Sequence, residues 1–276
     1  MIQVGQFQVI PILRIVAPGA ILDAGDGQEL LLPGKQIPSG AEVGDLVRVF
    51  VYTDSDDRPI ATTDIPLATA GEFAAMEVMS VGRFGAFVFM GLAKDLLIPY
   101  RQMRQPLRTG EKPVVHVLID EQSKRLTGTT YYDKYLKEAG DGLAAGEEVD
   151  VLVADQTSLG FKVIVNQQFR GMVYHNELVS KIVPGQKLTG WVKTIRDDGK
   201  LDITLRRPGV DEFVYAADLI MRKLNQMGGR LQLHDKSSPE EIRSALGISK
   251  RTFKAAVGSL MKEGKVSTDA QGVFLR

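Results

Sequence analysis

The sequence contains no cysteine, which removes disulfides, zinc ribbons, thiol nucleophiles and iron–sulfur clusters together. It holds one tryptophan, and aromatic residues make up 7% of it, so a site built from rings has few positions to draw on. Neither charge sign dominates. The 276 residues carry 34 Lys+Arg against 34 Asp+Glu, which excludes a wholly basic nucleic-acid coat and an acidic disordered tail. The longest apolar runs, such as Leu30-Leu31-Leu32, fall far short of the roughly 20 residues that span a bilayer. No cationic stretch precedes an apolar core at the N-terminus, so no secretory signal is expected and the expected location is cytoplasmic. There is no P-loop and no dinucleotide fingerprint. What is present is enough apolar material, 44%, for real cores in two or more domains.

The balanced charge is unevenly spread. Residues 1–66 carry a net charge of −5, residues 67–140 carry +2, residues 141–210 carry zero and residues 211–276 carry +3. An anionic polymer is therefore repelled at the N-terminal quarter and tolerated or attracted further along.

The strongest pattern is a repeat. Gly19, Gly85 and Gly160 each open an apolar stretch, and 13 residues on come Leu32, Ile98 and Val173. After 25 residues come Gly44, Gly110 and Gly185, and after 41 come Ile60, Leu126 and Leu201, each just past a polar turn. Four landmarks thus agree across three copies without a gap. Period-2 alternation, β-branched residues and Asp/Gly-rich turns such as Asp198-Gly199 predict five short strands per copy. Copies of roughly 65–75 residues fit separate five-stranded barrels of the oligonucleotide-binding type. The expected boundaries are 1–66, 67–130 and 146–208, with a helical linker over 131–145 in which the amphipathic segment Tyr131–Ala139 is followed by Gly140-Asp141-Gly142.

Beyond Pro208-Gly209 the period changes to 3.6. Phe213, Ala216, Ala217, Ile220, Leu224 and Met227 share a helix face that stops at Gly228-Gly229. A brief strand over Arg230–His234 follows. Ser238 before Pro239-Glu240-Glu241 predicts an N-cap, and Ser249 predicts a third helix over Lys250–Glu263. Two short apolar runs around Val266 and Val273 complete a wing. This is the order of an α+β winged helix-turn-helix over 211–276, so the fold class expected is multidomain and mainly β.

Several of these residues carry a resemblance. Val81-Gly82-Arg83-Phe84-Gly85-Ala86-Phe87-Val88 resembles the first hairpin of S1-type RNA-binding domains. Gly171-Met172-Val173-Tyr174-His175-Asn176-Glu177-Leu178 resembles their third strand, and Val183-Pro184-Gly185-Gln186 the approach to the fourth. Three such barrels followed by a winged helix are similar to the conserved virulence factor B family. The resemblance implies RNA binding by the barrels and a regulatory rather than catalytic role.

Rings that stack on bases and cations that follow the backbone are what a single strand needs. Copy two offers Phe84, Phe87 and Tyr100 with Arg83, Arg101, Lys124 and Arg125. Phe84 and Phe87 are three apart, so they share a face only if Gly85 sits in a bend; otherwise Phe87 is core. Copy three offers Phe161, Tyr174 and His175 with Lys162 and Arg206, although Leu159 stands where copy two has Phe84. Tyr174 occupies the position where the S1 motif usually has histidine, and Pro33 and Pro99 occupy it in copies one and two. Copy one lacks stacking aromatics and is expected to be a degenerate, structural or protein-contacting barrel. In the winged helix, Lys250, Arg251, Lys254 and Lys262 lie on the third helix, the recognition helix of this motif.

His116, His175 and His234 fall in three different modules, so no metal site, cofactor or catalytic centre is expected. The leading reading is a monomeric, non-catalytic protein that binds single-stranded RNA and acts post-transcriptionally or in translation, with duplex nucleic acid or the ribosome met through the winged helix. The alternatives are a DNA-binding transcription regulator and a ribosome- or nuclease-associated adaptor.

Overall fold

A computed structural model describes residues 2–139, 142–178, 181–207 and 212–276, with the backbone alone described for Glu212 and Phe213. The expected linker at Gly140-Asp141, the break at Pro208-Gly209 and the inward face of Phe213 lie outside the described residues. The chain divides into two compact units, Met1–Lys137 with Pro184–Lys187, and Glu138–Val183 with Leu188–Arg276.

In the first unit, β1 (Phe7–Val16), β2 (Gly19–Asp23), β3 (Glu29–Pro33), β4 (Leu46–Thr53) and β5 (Pro59–Thr62) close a barrel in the order β1-β2-β3-β5-β4. Barrel two differs from the expected single closed ladder. Its strands are β6 (Phe73–Ala75), β7 (Val78–Gly82), β8 (Gly85–Val88), β9 (Leu96–Pro99), β10 (Val114–Ile119) and β11 (Leu126–Thr129). They form two three-stranded sheets, β11-β10-β6 and β7-β8-β9. The cause is a break at Met76-Glu77 that splits the counterpart of β1 in two. Met76 and Val78 still donate their amides to the carbonyls of Pro113 and Glu111, and the Thr127 hydroxyl donates to the Leu97 carbonyl across the opposite seam. Barrels one and two share apolar packing. Phe50, with Phe7 and Tyr52, joins the cluster built on Met76, Val88 and Ile98.

The expected helical linker is a single 3-10 turn, Tyr132–Tyr135. A helix this short cannot meet its nucleation cost, and the Tyr rings are held elsewhere. Tyr132 is buried beneath Arg104, and Tyr135 lies 4.3 Å from the His116 ring, which stacks on Phe73 at 4.2 Å.

In the second unit, β12 (Glu148–Gln156), β13 (Gly160–Val165), β14 (Phe169–Tyr174), β15 (Lys187–Ile195) and β16 (Leu201–Thr204) close barrel three. The winged helix follows as α1 (Glu212–Gln226), β17 (Arg230–Leu231), α2 (Pro239–Leu246), α3 (Lys250–Lys262), β18 (Val266–Asp269) and β19 (Gly272–Leu275). Ser238 forms a full capping box with Glu241, and Ser249 caps α3 through the Thr252 amide.

The repeat landmarks have a common physical cause. Gly19, Gly85 and Gly160 have φ of +157°, +154° and +155°. A Cβ there would stand 2.1, 2.0 and 2.1 Å from the carbonyl oxygens of Leu32, Ile98 and Val173. Only glycine lets the second and third strands approach this closely. The three partners, 13 residues on in each copy, are fully buried.

Candidate nucleic-acid interface

Each barrel presents a two-residue hairpin tip immediately before that glycine: Ala17-Pro18, Arg83-Phe84 and Ser158-Leu159. The carbonyl at the second tip residue accepts from the amide that follows β3, β9 or β14. The pairs are Gly34 to Pro18 at 3.0 Å, Tyr100 to Phe84 at 3.3 Å and His175 to Leu159 at 3.2 Å. A short 3-10 turn starts at each of these donors. The backbone therefore places the tip beside the start of a turn in every copy, and the sequence decides what stands there: Tyr100 in copy two, His175 in copy three and the bare Gly34 in copy one.

Barrel two fills this place with rings. Phe84 is 67% exposed and Tyr100 is 52% exposed, and the Tyr100 hydroxyl donates to the Gly82 carbonyl at 2.8 Å. Arg83 sits 5.8 Å from the Phe84 ring. Phe87 points away from the core that takes Ala86 and Val88, and both phenylalanines line one cleft of about 400 Å³. The tight hairpin, with Gly82 paired to Gly85, supplies the bend that a shared face requires. The nearby cations are partly neutralised. Arg125 is paired with Asp57 of barrel one and Arg101 lies 3.8 Å from Asp120. Lys124 is exposed in the β10–β11 turn with a positive φ of 57°.

Barrel three departs from what the sequence suggested. Phe161 is 4% exposed and belongs to the barrel core, so it offers no face to a base. It occupies the slot of Ala20 and Ala86, the first inward position after the glycine. Its ring meets that of the exposed His175 edge-on at 6.0 Å and supports it from beneath. Tyr174 is half-buried and its hydroxyl accepts from Arg196 at 3.1 Å. Lys162, on the outer face at the position of Phe87, is half-buried. Glu177 is nearly buried and bonds Lys193 at 2.5 Å. Burial raises its pKa, but hydrogen bonds from Lys193 and Thr204 outweigh that and hold it below the usual value.

A second concave surface lies where barrel three meets the winged helix. It encloses about 780 Å³ and is lined by Lys181, Arg206, Arg222, Lys223 and Arg243, with His175 at its edge. No carboxylate lines it among the described residues. Arg206 spans it, donating to the carbonyls of Asn176 at 3.2 Å and Gly247 at 3.5 Å, while its Nε is buried with no hydrogen-bond partner among the described residues. Sequence reasoning singled out Arg206 and His175 here and missed Lys181, Arg222, Lys223 and Arg243. Leu219, Arg222, Lys223 and Gln226 do fall on one face of α1 by helical spacing, which is the one signal that could have drawn attention to them. The cations expected on α3 lie elsewhere. Arg251, Lys254 and Lys262 are exposed and Lys250 half-exposed, and none of the four lines the groove.

No described helix is long and apolar enough to cross a membrane. No group of three His, Asp or Glu among the described residues could hold a metal ion.

Known proteins share this architecture. The S1 domain matches residues 4–64, and the CvfB-like winged helix domain matches residues 218–275. Conserved virulence factor B of Staphylococcus haemolyticus is 23% identical over 285 residues, which cover 98% of this chain and 95% of that protein. Over nearly its whole length the chain is similar to the conserved virulence factor B proteins. YitL of Bacillus subtilis, 29% identical over 252 residues, covers 87% of this chain and 84% of its own length. A multidomain protein with nucleic acid binding domains from Streptococcus pneumoniae matches over 99% of this chain and 98% of its own, at 26% identity and a TM-score of 0.47. S1 and winged-helix domains are nucleic-acid-binding types rather than known catalytic ones. The S1 match falls on barrel one, the copy whose tip carries no aromatic ring.

Proposed function

We propose that this protein binds single-stranded RNA without chemistry on it and so regulates gene expression at the RNA level in the cytoplasm. The groove between barrel three and the winged helix carries this reading, because five cations converge there with no described carboxylate among its lining. A phosphodiester backbone is the polymer that rewards such a surface through counterion release. The buried Nε of Arg206, without a partner among the described residues, supplies a donor awaiting an acceptor. Exposed rings at Phe84 and Tyr100 supply stacking faces, which bind single strands with little regard to sequence. The alternative, a DNA-binding regulator, draws on Arg251 and Lys254, exposed on α3 clear of the groove.

Titrating a labelled oligoribonucleotide and a duplex DNA into the whole protein over a range of salt separates the two. RNA is expected to bind more tightly, with a log–log salt slope of about −0.7 per neutralised phosphate. The triple variant Arg222→Glu, Lys223→Glu, Arg243→Glu is expected to flatten that slope by about 2. Tighter binding of duplex DNA, lost in Arg251→Glu with Lys254→Glu and retained in the groove variant, overturns the proposal.

A further inference from the structure

The cleft at the barrel-two tip is built differently from the groove. One wall comes from barrel one, where Tyr52 on β4 faces Phe84 and Phe87 of barrel two. The hairpin that joins β4 to β5 also takes up the cations at this place. Lys94 Nζ donates to the Asp54 carbonyl at 2.6 Å, and Arg125 is paired with Asp57. The polar groups left at the cleft are acceptors. Asp95 is half-buried and has no hydrogen-bond or ion-pair partner among the described residues. Asp120 accepts from the Ser123 amide at 2.8 Å and hydroxyl at 2.9 Å.

A cleft with three rings, its arginine paired to Asp57 and the Asp95 carboxylate left without a partner among the described residues accepts a flat donor. We propose that it is a selective subsite for one unpaired base bearing an exocyclic amine, with Asp95 as the residue that reads the amine and Tyr52 of barrel one as part of the wall. The inference rests on the RNA-binding reading and adds a preference to it. Cytosine, adenine and guanine each present an amino group that an ionised carboxylate can accept from. Uracil presents only N3–H, flanked by two carbonyl oxygens that a carboxylate repels. The phosphates stay at the rim, where Arg83 and Arg101 are exposed. Barrel one, with its acidic hairpin, thereby sets what barrel two can hold.

The test compares oligo(C) with oligo(U), both pyrimidine strands, binding to the full chain at neutral pH. The wild-type protein is expected to hold oligo(C) about tenfold more tightly, the lower end of what one good base contact contributes. Asp95→Asn, which adds a donor at the same place, is expected to bring the two within about twofold by raising oligo(U) affinity. Asp57→Asn, which frees Arg125, is expected to tighten both strands equally and steepen their salt dependence. Equal affinity of wild-type protein for the two strands overturns the proposal and leaves RNA binding standing. So does an unchanged ratio in a folded Asp95→Asn protein. Binding of neither strand overturns both.

Discussion

Barrels two and three share a scaffold and part company at its surface. In both, a glycine without room for a Cβ brings the second strand against the third, and one backbone hydrogen bond ties the hairpin tip to a 3-10 turn. Barrel two places Phe84 and Tyr100 there, with Arg125 held by Asp57 of its neighbour and Arg101 near its own Asp120. Barrel three places Leu159 and His175 there and lies against a helical domain whose cations are left open. Rings suit bases, and unspent cations suit phosphates. The same strand geometry therefore carries two different surfaces, and the difference resides in a handful of side chains rather than in the fold.

The comparison can be broken most forcefully at Phe161. If it is core, Phe161→Ala should cost about 3–5 kcal/mol of stability, read by urea unfolding of the second unit, without a stacking loss specific to RNA. A stable variant with weakened RNA affinity would return Phe161 to the binding surface. Next in size is the pH response of barrel two. Burial of His116 depresses its pKa to about 4, against the raising effect of its hydrogen bond to the Glu72 carbonyl and with a further lowering by Lys134. Because the folded value lies below the unfolded one, the stabilisation is fully present above about pH 6.5 and is lost as pH falls towards 4. The loss amounts to roughly 3 kcal/mol at most. Thermal melts at neutral and acidic pH should show it for the wild type and not for His116→Phe; matching pH curves would refute it. The smallest expected change is at the tip. Phe84→Ala, at a site 67% exposed, should leave stability nearly unchanged and weaken single-stranded RNA binding by about 1–3 kcal/mol. Unchanged affinity would remove the ring station from barrel two.

The repeat was legible because its landmarks are backbone contacts that glycine alone permits. The same holds for the caps at Ser238 and Ser249, which act within one turn of their helices. Phe161 misled because an aromatic beside the repeat glycine looks like a stacking ring. Its alignment with Ala20 and Ala86 marks it as inward, since residues one past that glycine point into the barrel. The split of β6 from β7 follows from a local break at Met76-Glu77 that alternation does not reveal. The groove was hidden for another reason. Lys181, Arg206, Arg222 and Arg243 come from four separate segments, and only the packing of barrel three on the winged helix brings them together. The partners of Lys94 and Arg125, a backbone carbonyl and a carboxylate, were likewise out of reach, because they belong to the preceding barrel.

The glycine contact has a practical consequence. Because the strand crossing is set one residue after the tip, the two tip residues are free to vary without disturbing the barrel beneath them. Arg83-Phe84 could be exchanged with Ser158-Leu159, or written over Ala17-Pro18, as cassettes on a fixed socket. The carbonyl-to-amide tie at Gly34, Tyr100 or His175 would receive any of them in the same pose. A chain of three such sockets is a ready format for assembling nucleic-acid readers by transplanting dipeptides instead of redesigning domains.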